Sequence, residues 1–234
     1  MSQAPIRALI FDVFGTLVDW RSSIAREARQ LLQPLGHELD WEGFADAWRG
    51  EYQGAMEEVR SGRLAFQKLD RLHRRNLDIV LERLSLEGLD ESTRQQLNLA
   101  WHRLDAWPDV GPGLQALRRH FLIAPCSNGN ISLMVDLARR NGWHWDAILG
   151  AELARDYKPK AAVYLHAVAA LDLHREQVMM VAAHSSDLEA ASAAGLRTAH
   201  VARPDEAGPG RGESAPTVAV DYTAADLRDL ASQL

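Results

Sequence analysis

Ile6-Arg7-Ala8-Leu9-Ile10-Phe11-Asp12-Val13-Phe14-Gly15-Thr16-Leu17 is the stretch that decides the fold. Ile6 to Phe11 is a short, mostly apolar run. It ends abruptly at a carboxylate, and a loop with glycine and threonine follows. Such a run reads as a buried strand of a parallel sheet. Open sheets of this kind bind ligands beyond the carboxyl ends of their strands. Asp12 is therefore a candidate for chemistry. An aspartate after a strand is also an ordinary loop or cap residue, so other strand ends must separate the two readings.

Working outward, the chain changes character from about Trp20 to Leu104. Ile24, Ala28, Leu31, Leu32 and Leu35 fit one helix face. Phe44, Trp48, Tyr52, Met56 and Val59 fit another. Further helices are expected over 65–84 and 92–104, with Asp90 near a helix start ahead of Thr93 and Arg94. Trp48 and Tyr52 lie on the apolar stripe and read as core of this helical bundle. Beyond Trp107-Pro108-Asp109-Val110-Gly111-Pro112, strand and helix alternate again. Strands are expected at Leu122 to Cys126, around Ile148, and at 178–182, 198–201 and 218–220. Helices are expected near 112–120, after Asn130, over 160–171 and over 187–194. Pro125 is awkward in a strand, because proline donates no ladder bond. The segment 203–216, rich in Pro, Gly and charge, reads as a long exposed loop. The fold class is thus α/β: a Rossmann-like parallel-sheet core with a helical cap inserted after the first strand. The core would comprise residues 1–19 and 106–234, and the cap residues 20–105.

Composition narrows the partners. The net charge is −6, and the arginines between Arg49 and Arg103 are mixed with acids. No basic face for nucleic acid is evident. No apolar run approaches the ~20 residues of a membrane span. Cys126 is the single cysteine, so no internal disulfide can form. With no signal-peptide pattern at the N-terminus, a cytoplasmic location is expected. The nine histidines show no HxxxH or HExxH pairing, so no zinc site is expected.

Several polar groups follow predicted strands: Asp12 to Thr16, Ser127-Asn128-Gly129, and His184-Ser185-Ser186-Asp187. Tyr157-Lys158-Pro159 opens a helix. In a parallel sheet these strand ends share one edge, so the groups converge. Each also has a plain structural reading. Thr16 and Asp187 could cap the turns they precede. Lys158 could be a surface lysine, and Arg49 a solvated one. His184 could satisfy a local hydrogen bond, and Tyr164 could be core. Trp107 could line a pocket or pack the hinge between cap and core. Cys126 reads as a buried structural residue.

The ordered set of Phe11-Asp12-Val13-Phe14-Gly15-Thr16-Leu17, Ser127-Asn128, Lys158-Pro159 and a late Asp187 resembles the haloacid dehalogenase superfamily. The resemblance covers nearly the whole chain, including the cap after strand one. Phosphatases of that superfamily place a second aspartate where this chain has Phe14, to protonate the leaving oxygen. They hold magnesium with a further acid, where this chain has Ala183. A halide leaves as an anion without a proton and needs neither. The form with Phe14 resembles type II L-2-haloacid dehalogenases. Trp48-Arg49 followed by Tyr52 resembles their cap arginine segment, and Tyr164 matches their Lys-Pro-x-x-x-x-Tyr pattern.

That resemblance implies hydrolysis of a short 2-haloacid, such as a haloacetate or an L-2-halopropionate, with no cofactor and no metal. Asp12 would be the nucleophile. Arg49 and Asn128 would receive the halide, with Phe14, Tyr164 and Trp107 around the substrate. Ser127, Lys158 and backbone N–H groups after Asp12 would hold the substrate carboxylate. Asp187 would position Lys158 or the hydrolytic water, and Thr16 would fix the Asp12 loop. The resemblance also allows a homodimer. Type II enzymes often carry Ser-Ser-Asn where this chain has Ala182-Ala183-His184, so His184 would replace the asparagine's hydrogen bonds or serve in water activation. A divergent magnesium phosphatase and a non-catalytic binding member are the alternatives.

Overall fold

Strand β1 (Ala8–Phe11) is wholly buried because it has neighbours on every side. The computed structural model describes residues 5–234 and places β1 in the middle of a six-stranded parallel sheet. In chain order, the other strands of that sheet are β4 (Leu122–Ser127), β5 (Leu149–Gly150), β6 (Val178–Ala182), β7 (Arg197–Val201) and β8 (Tyr222–Ala224), and the spatial order is β5-β4-β1-β6-β7-β8. Leu9 and Phe11 point into one apolar layer, and Ala8 and Ile10 into the other. Both faces are covered, which explains the continuous apolar run. The chain leaves β1 toward β4 on one side and later returns to β6 on the other. The carboxyl end of β1 is therefore a topological switch point, where a crevice opens.

A short antiparallel ribbon of β2 (Val18–Asp19) and β3 (Asp105–Ala106) carries the helical insert. The insert contains α1 (Trp20–Leu32), α2 (Trp41–Gly50), α3 (Tyr52–Arg60), α4 (Leu69–Arg83) and α5 (Glu91–Asn98), then a 3₁₀ turn at Leu99–Arg103. Local chemistry sets several starts. Asp19, Asp40 and Asp90 accept from the backbone N–H of Ser22, Gly43 and Thr93, closing the first turns of α1, α2 and α5. Ile24, Ala28, Leu32, Phe44, Trp48, Met56 and Leu77 fill the bundle. Leu35 is exposed rather than on the α1 face, because α1 stops at Leu32 and Pro34 sits in a 3₁₀ turn.

The second half supplies α6 (Val110–Leu117), α7 (Ile131–Asn141), α8 (Ala151–Ala154), α9 (Ala161–Ala170), α10 (Ser185–Ala193) and α11 (Leu227–Gln233). Pro125 lies inside β4 without costing a ladder bond. Ile123 exchanges its N–H and C=O with Asp146 on the outer side. Pro125, two residues on, presents its nitrogen to that same side, and β5 begins only opposite Cys126. Two expectations for this half need correction. The last strand is Tyr222–Ala224, not 218–220: Val218 and Val220 pack against the core, but pairing with β7 starts at Tyr222. The segment 203–216 is not simply exposed. Arg203 is buried, donating to Thr16 O and to Asp109, and this anchors the loop over the sheet edge. Among the described residues, no helix is long and apolar enough to cross a membrane.

Candidate active site

Asp12 follows β1 directly, and its N–H continues the ladder to Val181 O of β6 at 3.0 Å. Its carboxylate is nearly buried yet heavily bonded. Oδ1 accepts from Lys158 Nζ at 2.7 Å, and Oδ2 accepts from Thr16 Oγ1 at 2.8 Å. His184 Nδ1 stands 3.2 Å from Oδ2. Thr16 Oγ1 also accepts from Ala183 N at 2.9 Å, pinning the Asp12 loop to the end of β6. Lys158 comes from the turn before α9, where its backbone N–H donates to Asn128 Oδ1 at 2.9 Å. Its ammonium also donates to Asp187 Oδ2 at 2.5 Å, and Tyr164 OH donates to Asp187 Oδ1 at 2.5 Å. Asp12 and Asp187 are the carboxylates that could share a cation, and the Lys158 ammonium already stands between them.

Above this cluster is a cavity of about 390 Å³. Its floor is Asp12, Asn128, Lys158, Tyr164, His184 and Asp187 from the core. Its roof is Arg49 at the end of α2, with Tyr52, Gln53 and Arg60 of α3. Phe14 reaches up between them, edge-on to the rings of Tyr52, His73 and Trp101. The Arg49 guanidinium carbon lies 4.0 Å from the Tyr52 ring centre and 5.4 Å from that of Trp20. These faces hold the cation without neutralising it. Arg49 Nη1 is buried and has no hydrogen-bond partner among the described residues.

The electrostatics favour an ionised Asp12. Burial pushes its pKa up, but Lys158 and His184 outweigh that and hold it well below the usual carboxylate range. Burial also pushes Asp187 up, and the charge of Asp12 adds to that push. His184 is pushed down by burial but lifted to about 10 by Asp12 and Glu206. Its ring is thus an imidazolium at neutral pH, donating to Asp12 on one side and to Glu206 Oε2 at 2.8 Å on the other. Lys158 and His184 are occupied by carboxylates, and Arg60 pairs with Glu57. Arg49, without an ion pair among the described residues, is left over for an anion.

The model of haloacid dehalogenase-like hydrolases matches residues 6–195. The chain belongs to this family. It is 30% identical over 207 residues to (S)-2-haloacid dehalogenase 1 of Pseudomonas sp. (strain CBS-3), covering 85% of this chain and 86% of that one. Among solved structures it resembles a defluorinating L-2-haloacid dehalogenase, with TM-score 0.96, 45% identity, and 98% and 95% of the two chains covered. It resembles a second L-2-haloacid dehalogenase with TM-score 0.93 and 46% identity, covering 97% and 98%.

In this haloacid dehalogenase-like hydrolase, the sequence-predicted residues Asp12, Phe14, Thr16, Arg49, Asn128, Lys158, Tyr164, His184 and Asp187 are brought together. Three predicted residues, Thr16, Ser127 and Trp107, are not at the cavity wall, and Thr16 meets the site through its hydrogen bond to Asp12. Ser127 is buried beneath the cavity, and its Oγ accepts from Gly129 N at 3.0 Å, shaping the turn. Trp107 packs at the hinge, donating from Nε1 to Gly15 O at 2.9 Å. Tyr52, expected as cap core, lines the cavity as well. Sequence reasoning missed Arg60 and Glu206. Arg60 donates to the carbonyl of Lys158 at 2.8 Å, joining the helical insert to the turn that carries Lys158. Glu206 lies in the loop after β7, where it also accepts from Trp20 Nε1 at 3.0 Å. Its position beyond a parallel strand's carboxyl end was the available signal, but the Pro- and Gly-rich composition of its loop hid it.

Proposed function

We propose that this protein hydrolyses short 2-haloacids, haloacetates and L-2-halopropionates, to 2-hydroxy acids through an ester on Asp12. One observation carries the reading. A buried, ionised carboxylate and an arginine with no ion pair among the described residues face one small cavity. Asp12 is held by Lys158 and Thr16 so that its oxygen can attack C2 of the substrate in line with the carbon–halogen bond. The bond electrons leave with the halide, and C2 inverts. Arg49, with Asn128 nearby, receives that halide. The substrate carboxylate lies on the core side, beside Lys158 and Ser186 in the first turn of α10. In this reading residues 20–105 are the cap, and it closes over a core of 1–19 and 106–234.

The second step hydrolyses the ester, and His184 is placed to serve it. In the free enzyme two carboxylates hold the ring's protons. Esterification removes the charge on Asp12, so one of the groups sustaining the imidazolium is gone. His184 then releases the proton that the overall reaction yields. The neutral ring, still held at Nε2 by Glu206, takes a proton from water as it attacks the Asp12 carboxyl carbon. Collapse of the tetrahedral intermediate passes its hydroxyl proton to the departing hydroxy acid and restores the Asp12 carboxylate. The reading is tested by halide release from chloroacetate and L-2-chloropropionate. The native protein should release halide, and Asp12→Asn should release none; equal release by both would refute it.

A further inference from the structure

His102 lies outside the catalytic cavity, buried in the 3₁₀ turn that ends the helical insert. Its two ring nitrogens face carboxylates on opposite sides. Nε2 is 3.1 Å from Asp70 Oδ1, in the first turn of α4, and Nδ1 is 2.7 Å from Asp136 Oδ2, on α7 of the core. Carboxylates only accept, so both nitrogens must donate, and that is the imidazolium form. Asp70 has a second attachment to the core. Asn130 Nδ2 donates to Asp70 Oδ2 at 2.9 Å, and the Asp70 N–H donates to Asn130 Oδ1 at 3.2 Å. Asn130 starts α7 two residues beyond Asn128, whose side chain holds the backbone of Lys158. A chain of contacts thus runs from His102 through Asp70 and Asn130 to the catalytic turn.

We propose that His102 and Asp70 are positioning residues: charged His102 clasps the helical cap to the core and sets the 128–130 loop, so substrate affinity depends on that charge. The proposal rests on the reading that substrate binds between cap and core.

The surroundings fit a single titrating ring. From α4 the neighbours are Asp70 and His73, and burial drives His73 down to about 3, so it is neutral. From α7 the neighbour is Asp136. From α5, Asn98 donates to the Asp70 carbonyl. On the α1 side, Glu27 is engaged by Arg26 and Arg103. Among the described residues, neither Asp70 nor Asp136 pairs with any other cation. Burial alone would lower the His102 pKa, but the two carboxylates outweigh it and raise it above the ordinary 6.5. A raised pKa makes the clasp complete below about 6.5 and lost as pH rises through the folded-state value.

The test measures KM and kcat for chloroacetate against pH, and the thermal midpoint without substrate, in the native protein, His102→Gln and Asp136→Asn. Asp136 is half-exposed, so its variant keeps the fold. In the native protein KM should rise with deprotonation of His102 while kcat changes less, and the midpoint should fall over the same interval. Asp136→Asn should move both transitions to lower pH by about one unit. His102→Gln should show a KM raised about tenfold and flat across that interval. The His184 transition near pH 10 should persist in all three. Transitions unmoved in Asp136→Asn, or a native KM profile in His102→Gln, would overturn the proposal. If no halide is released at all, the dehalogenase reading fails, and the thermal midpoints still decide the clasp.

Discussion

Glu206→Gln separates the two chemical steps. Glutamine can still accept from His184 Nε2, so the contact at 2.8 Å keeps its shape while the charge is lost. Two unit charges about 4 Å apart interact by about 4 kcal/mol at an effective dielectric of about 20. A proton half-transferred in the transition state expresses about half of that, ~2 kcal/mol. Looser holding of the ring adds to the loss, so ester hydrolysis should slow by about 10²-fold. Asp12 keeps Lys158 and Thr16 in this variant, so alkylation by the haloacid should change little. Rapid mixing with chloroacetate should therefore give a halide burst equal to the enzyme concentration, followed by slow turnover. Intact mass should show enzyme heavier by one carboxymethyl group. Equal slowing of both steps, with no burst and no ester, would refute the assignment of Glu206 and His184 to the second step.

Other consequences follow from the same geometry. Lys158→Met leaves Asp12 and Asp187 as two buried carboxylates without their shared cation. It should destabilise the fold by about 3–5 kcal/mol in denaturant titration at neutral pH, and abolish halide release. Gly15→Ala puts a methyl group 2.0 Å from Glu206 Oε1 at a φ of +85°. It should displace Glu206 and reproduce the Glu206→Gln burst, at a cost of about 1–3 kcal/mol in stability. His184 has a folded pKa raised to about 10, so its stabilising contribution is complete below about 6.5 and lost as pH rises through about 10. The thermal midpoint should fall across that alkaline range, and the fall should be absent in His184→Gln.

Much of this was legible from strand ends. Asp12, Asn128 and Asp187 each sit just beyond a buried run that gives way to polar residues, and a parallel sheet collects such positions along one edge; Lys158 stood out instead at the start of a helix. The helical insert was legible because its periodicity differs from the alternation on either side. Failures came where tertiary packing decides. Ser127 and Trp107 sit at the right places in the chain, but hydrogen bonds to Gly129 and Gly15 hold them off the cavity. Glu206 was hidden because nothing local says that Arg203 buries its guanidinium against Asp109 and brings the loop back over His184. Tyr52 does what its apolar stripe implies and also lends its ring face to Arg49, a pairing that periodicity cannot show.

The central claim is that Asp12 itself becomes esterified, and the fate of oxygen tests it most directly. A single turnover is run with enzyme in excess over chloroacetate, in water labelled with heavy oxygen. Water that attacks the Asp12 carboxyl carbon leaves its label on that carboxylate, and the product takes its hydroxyl oxygen from the enzyme. The account predicts label in the peptide containing Asp12 and unlabelled 2-hydroxy acid. Label in the hydroxy acid with none on Asp12 would mean that water displaces the halide directly, and would contradict it.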